Sequence, residues 1–310
     1  MVRPFPCTAA RAGGIALVAV LWLLVLLTLM ASTVALSSRS GAQVQHRLEQ
    51  ATANLWRAKG AVSLAIISLN TAQDQSPWLA DGSTYQVQFD QQPMAVAVFD
   101  ERGKIDLNAA PPTLLDGLLR QAGVGDSERT ALVDAILDWR DEDDLQRLDG
   151  AESAQYQAAG LDGPANAPFN SIDELRQVLG MTDALVEALR PALTLYSHRA
   201  TVLPQLAPRQ VLLAMPGADA LLVDDYIRQR RQLHDSGLPI PAPTWWPAEQ
   251  ATPGFGRYYT VQARLPLGDG QEALFSALLQ RQQGDPARPF RVLSLGPGLL
   301  PDIDTGGAHD

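Results

Sequence analysis

Residues Ile15 to Leu36 read IALVAVLWLLVLLTLMASTVAL and carry no charge. A helix of that length, rising about 1.5 Å per residue, spans roughly 33 Å, enough to cross the hydrocarbon core of a bilayer. The head in front of it, MVRPFPCTAARAGG, holds Arg3 and Arg11 and no acid. Behind the run the pattern changes to a stripe, Val44, Leu48, Ala51, Leu55, Ala58, Val62, Ile66 and Leu69. Steps of three and four place those residues on one helical face. The pattern predicts one helix over 15–70 that starts in a membrane (15–36) and ends packed on a soluble domain.

Three readings fit the head and the run. A cleaved secretory signal has a shorter apolar region followed by a small-residue site, which Ala31-Ser32-Thr33 offers. A signal anchor fits the length, and the arginines keep its N-terminus cytoplasmic. The third reading rests on Gly13-Gly14. A basic head ending in glycine directly before an uncharged apolar helix resembles the leader of type IV prepilins and type II secretion pseudopilins. That resemblance implies cleavage between Gly14 and Ile15 by a prepilin peptidase, then N-methylation of the new terminus. The fifth mature residue is glutamate in most such proteins and is Ala19 here, a departure typical of the K-type minor pseudopilin.

The rest of this 310-residue chain holds a large domain without covalent staples, because the chain's one cysteine, Cys7, lies ahead of the apolar run. A net charge of −10 argues against nucleic acid or anionic lipid as the partner of the whole chain. Tyr85 to Phe89 and Met94 to Phe99 alternate as strands; Glu101 to Lys104 makes a turn, and Ile105 starts back in a small antiparallel sheet over 71–107. From 108 to about 200 the periodicity is helical, with Pro111-Pro112 opening one helix, a second over about 128–139, and Ser171 and Glu174 forming a capping box. Residues 201–296 combine a second helical segment with an antiparallel meander, and the tail 297–310 is predicted to be disordered. The tryptophans Trp245-Trp246, in a proline-rich loop, either cover a sheet edge or meet a partner.

Three stretches share an outline of apolar residues, a glycine-centred turn and a helix, around Gly123-Val124-Gly125, Gly180 and Gly217. The outline resembles the helix-hairpin-helix motif, in which backbone N–H groups at a helix start meet a phosphate. A membrane-anchored DNA-binding protein is therefore the alternative function. Plain helix connectors are the favoured explanation of the turns, and 106–200 holds ten more acids than lysines and arginines, which repels a duplex. The histidines His46, His198, His234 and His309 have no metal-helix spacing, and no phosphate loop or nucleophile elbow is present, so no enzymatic activity is expected.

The densest chemistry is Asp138-Trp139-Arg140-Asp141-Glu142-Asp143-Asp144, followed by Asp149, Gly150-Ala151-Glu152 and Tyr156. Carboxylates crowded at a helix C-terminus repel one another and face the negative end of the dipole. A divalent cation relieves both problems, and calcium takes six to eight oxygens from such a mixture. A solvated acidic loop is the alternative, and spacing alone does not choose.

Three patterns in order carry a resemblance to the K-type minor pseudopilins of type II secretion: D-W-x-D-x-D at 138–143, G-A-E-x-x-x-Y at 150–156, and N-x-P-F-x-S-x-x-E-L at 166–175, preceded by Leu107-Asn108-Ala109-Ala110-Pro111. The resemblance implies an α+β pseudopilin fold, a long N-terminal transmembrane helix packed on an antiparallel sheet, with a large all-α domain inserted at 108–200. It implies structural calcium, with Asp141, Asp143 and Glu152 as ligands and Asp138 and Asp144 beside them. It further implies single-pass anchoring in the inner membrane with a periplasmic C-terminal domain. Its partners would be the I-type and J-type minor pseudopilins, the major pseudopilin and the prepilin peptidase, with no nucleic acid.

Overall fold

The computed structural model describes residues 13–71, 75–89, 91–246, 256–268, 271–285 and 287–298; within the first helix, side chains are described at 17–33, 45 and 48–71. Residues 1–12 of the leader expected at 1–14 and most of the tail lie outside the described residues, as does the Ile15 side chain next to the expected cut after Gly14.

Helix α1 runs unbroken over Gly13–Asn70. Its described apolar run is exposed on every side, from Leu17 (66%) through Trp22 (70%) to Met30 (61%). Among the described residues no helix is long and apolar enough to cross a membrane; the continuously described side chains at 17–33 fall short of both ends of the span expected at 15–36. The stripe expected along 44–69 is buried only towards its end. Leu48 and Leu55 are exposed, whereas Ala58, Ala61, Val62 and Ala65 are buried. Three of those four are alanines, which let a helix backbone lie close to a sheet.

That end of α1 packs on a five-stranded antiparallel sheet of order β1-β2-β5-β6-β7. The strands are β1 (Asp81–Phe89), β2 (Gln92–Asp100), β5 (Tyr258–Gly268), β6 (Gln271–Arg281) and β7 (Phe290–Pro297). Met94, Val96 and Val98 on β2 and Tyr259, Val261, Ala263 and Leu265 on β5 share the α1-facing core, the period-two alternation seen in the sequence. Tyr196, Tyr258 and Leu278 form a small cluster of their own.

Among the described residues, those between β2 and β5 form one mostly helical body. Asp100 and Tyr259 face each other in the strand register, so the chain leaves and re-enters the sheet at adjacent positions. Ile105 does not return to the sheet, as its alternation suggested. Residues 105–106 (β3) pair in parallel with Leu193–Thr194 (β4) and close the base of the insert. The buried Asp106 carboxylate fastens this closure: Oδ1 accepts from Asn108 N (3.0 Å) and Ala109 N (3.1 Å), Oδ2 from His198 N (2.7 Å) and Ser197 Oγ (3.1 Å). Local alternation marks an extended segment but cannot name its partner, and here the buried carboxylate supplies one.

The helices are α2 (Pro112–Gln121), α3 (Asp126–Arg140), α4 (Ser153–Ala158), α5 (Asp183–Leu189), α6 (Arg209–Ala214) and α7 (Ala220–Asp235). One core runs from Ile105 to Trp246, so α6 and α7 share the interior of the segment before residue 200. Gly117 makes the α2–α6 contact possible, since a Cβ there would lie within bonding distance of the Ala214 carbonyl oxygen. Trp246 is buried in this core, and Trp245 stands edge-on to Tyr226 at 6.3 Å, so the pair packs inside the helical body, not on the sheet edge. The segment after Ser171 is a 3-10 helix, Ile172–Gln177: Ser171 Oγ accepts from Asp173 N (2.9 Å), while Glu174 Oε2 reaches Asn170 N (3.2 Å).

Candidate metal centre

Helix α3 carries the site at its C-terminal turn. Leu132, Val133, Ile136 and Trp139 bury its inner face, and the same phase draws Asp138 inside to complete burial. Trp139 stacks on Phe169 at 5.9 Å and tilts against Tyr156 at 6.0 Å. Tyr156 Oη accepts a hydrogen bond from Leu179 N (3.0 Å), which ties α4 to the following segment. The Arg140 guanidinium donates to the carbonyls of Leu107 and Ala110, the second at 2.7 Å. The aromatic and asparagine positions of the three sequence patterns thus build the floor under the acids.

Four of the five expected ligands come together. Asp138 Oδ2 accepts from Arg147 N (3.2 Å). Asp138 Oδ1 has the Arg147 Nε 3.1 Å away but off line, and has no hydrogen bond. Asp141 Oδ2 accepts from Arg147 Nη2 (3.0 Å), while its Oδ1 is buried without a partner. Asp144 Oδ1 accepts from Ser153 Oγ (2.9 Å). Glu152 is 3% exposed, and neither carboxylate oxygen has a hydrogen-bond partner. Asp143 stands apart: it is exposed, and its Oδ1 accepts from Leu145 N (2.9 Å).

The electrostatics follow from that geometry. Burial, then the charges of Asp138, Asp144 and Asp141, push the Glu152 carboxyl up to about 7. Burial also raises Asp138, against the pull of the Arg147 backbone N–H and guanidinium. An unpaired buried carboxylate is costly, and Glu152 is in that condition. Gly150 is part of the cradle, since a Cβ there would sit 2.0 Å from Asp138 Oδ2. Asn166 Oδ1 is also buried without a partner, and the next residue's N–H bonds the Trp139 carbonyl (3.4 Å). Among the described residues no three His, Cys, Asp or Glu side chains are arranged to hold a metal ion as they stand. The donor set is nonetheless all oxygen, anionic and under-satisfied, the chemistry a hard divalent cation requires. Arg147 was not legible as a site residue, because only the turn brings it to the acids.

The glycine turns have a different character. Thr182 Oγ1 accepts from Leu185 N (3.3 Å) and Asp219 Oδ1 from Leu222 N (2.9 Å), so side chains of the chain itself occupy those helix starts. The start of α3 carries Asp126 and Glu128 in its first turn. None of the three presents the free, positive helix end that a phosphate needs.

A family model described as "Type II secretion system (T2SS), protein K" matches residues 94–198, the stretch that contains most of β2, the acidic turn and all three sequence patterns. Over that stretch the chain is similar to the type II secretion protein K family. The chain is 29% identical over 241 residues to type II secretion system protein K of Klebsiella pneumoniae, covering 66% of this chain and 72% of that one. The K protein of Aeromonas hydrophila is 30% identical over 213 residues, covering 58% and 62%. A putative K protein of Escherichia coli K12 is 28% identical over 201 residues, covering 57% and 61%. The fold is similar to that of a chain in the crystal structure of the GspK-GspI-GspJ complex from the enterotoxigenic Escherichia coli type 2 secretion system. That match has a TM-score of 0.53 and 20% identity, covering 83% of this chain and 100% of that one.

Proposed function

We propose that this chain is a minor pseudopilin of the type II secretion system, capping the tip of the periplasmic pseudopilus and supporting export across the outer membrane. The observation that carries this reading is α1. A helix apolar on all sides from Leu17 to Met30 needs lipid or other apolar helices around it. In the proposed cycle a prepilin peptidase removes residues 1–14, Ile15 is N-methylated, and the span 15–36 passes from the inner membrane into a bundle with the helices of other pseudopilins. Before extraction the chain is single-pass, N-terminus cytoplasmic, with the sheet and insert in the periplasm. The insert makes the head too bulky to stack beneath another subunit, and Ala19 lacks the carboxylate that would greet the terminus of a subunit ahead. I-type and J-type minor pseudopilins are the proposed companions, by analogy with the complex named above. The family is defined by secretion, not catalysis, and the occupied helix starts give the DNA-binding alternative no support.

Calcium is the proposed structural ion. Asp138, Asp141, Asp144 and Glu152 would hold it, with Asp143 brought in only by movement of its exposed loop. The ion would neutralise acids that burial leaves unpaired and fasten α3 to α4. Deleting the gene in the native host and restoring wild type or a Gly14→Leu variant tests the function. Secretion is expected to return with wild type and to fail, with an unprocessed precursor, in the variant. Normal maturation and secretion of the variant would contradict the reading.

A further inference from the structure

We infer that Arg147 is an internal competitor for the acidic turn: its guanidinium holds the ligands together without the ion and must leave when calcium enters, so Arg147 sets the affinity. This inference rests on the calcium reading above. The guanidinium lies within 3.1 Å of Asp138 Oδ1 and donates to Asp141 Oδ2 at 3.0 Å, bridging the two acids from the α3 terminus. One positive charge does not satisfy the cluster, because Glu152 keeps both oxygens unpartnered and Asp138 Oδ1 and Asp141 Oδ1 lack hydrogen bonds. Arginine has only donors and cannot serve as a metal ligand. Calcium would sit about 2.3–2.6 Å from its oxygens. An ion that close to Asp138 Oδ1, with Nε 3.1 Å from the same atom, would leave two positive charges sharing one buried carboxylate oxygen.

The loop is built so that the side chain can leave alone. The backbone N–H of Arg147 holds Asp138 Oδ2 at 3.2 Å, and that bond is independent of the guanidinium. The side chain is 43% exposed, whereas Asp138 is fully buried, so the arginine has solvent to move into and the carboxylate does not. The apparent affinity is then the intrinsic one reduced by the fraction of molecules with the guanidinium swung out.

The test is calorimetric titration of calcium into the chelator-treated full-length chain in detergent, as wild type, Arg147→Gln and Arg147→Lys. Arg147→Gln is expected to bind about tenfold tighter than wild type, with Arg147→Lys, which keeps the charge but loses the fork, between them. In chelator Arg147→Gln is expected to melt below wild type, and in saturating calcium the two should melt alike. Should Arg147→Gln fail to fold in chelator, the lysine variant carries the comparison. Equal or weaker binding by the variants, with wild type still binding, overturns the competition and leaves the calcium reading standing. Absence of calcium binding by wild type and variants alike overturns both.

Discussion

Arg230 on α7 donates to Asp81 on β1 at 2.5 Å, across 149 residues of sequence, and both side chains are buried. The same guanidinium donates to the carbonyls of Pro204 (3.2 Å) and Ala207 (2.9 Å), so one side chain ties the insert to the first strand of the sheet. Removing one partner strands the other charge in the interior. Asp81→Ala is expected to destabilise the chain by about 3–5 kcal/mol in denaturant titration, and the double variant Asp81→Leu with Arg230→Leu by clearly less. Equal losses would show that the pair matters for packing and not for charge.

Asn108 and Phe169 make a second long-range fastening. Asn108 Nδ2 donates to the Phe169 carbonyl (2.9 Å), and the Phe169 N–H returns to Asn108 Oδ1 (2.7 Å). Phe169 is the stacking partner of Trp139. Asn108→Ala leaves two backbone groups without partners. A cost of about 2–3 kcal/mol is expected, together with altered near-ultraviolet circular dichroism from Trp139.

Gly150→Ala drives a Cβ to 2.0 Å from Asp138 Oδ2 and 3.3 Å from the Arg147 Cβ. The carboxylate has no free space to retreat into, because it is fully buried. The variant is expected to lose about 1–3 kcal/mol of stability and to bind calcium at least about tenfold more weakly. Wild-type calcium affinity in this variant would remove Asp138 from the ligand set.

The pH dependence of the ion-free chain follows from Glu152. Its carboxyl is pushed from an ordinary 4.5 to about 7 in the folded state. The folded chain therefore keeps a proton that the unfolded chain releases first. The stability this contributes is complete below about 4.5 and is lost as pH rises through about 7. In chelator, the contribution of Glu152 should lower the melting temperature between about pH 5 and about pH 7.5. Excess calcium is expected to remove that fall, and Glu152→Gln to flatten it; a slope unchanged by Glu152→Gln would assign the effect to other groups.

The helix-to-sheet plan was legible because it rests on periodicity. Val96, Val98, Val261 and Ala263 alternate as buried strand residues, and the α3 pattern predicts the burial of Leu132, Ile136 and Trp139. What periodicity lacks is partner identity. Ile105 read as a returning strand and instead pairs in parallel with Leu193, a choice made by the buried Asp106 carboxylate 91 residues from Ser197. Trp245 and Trp246 read as covering a sheet edge or meeting a partner, yet Trp245 stands against Tyr226 and Trp246 lies in the helical core. At the acidic turn, composition identified the carboxylates. The turn itself determines that Asp143 faces Leu145 N, that Glu152 lies inside, and that Arg147 reaches back to Asp138 and Asp141.

The pseudopilin reading depends first on what happens at the diglycine. Mass spectrometry of the N-terminal peptide, on protein purified from the native host's membranes, measures it directly. The expected result is a chain beginning at Ile15 with an N-methylated amino group. A chain that retains Met1, or begins well beyond Leu36, would contradict the reading.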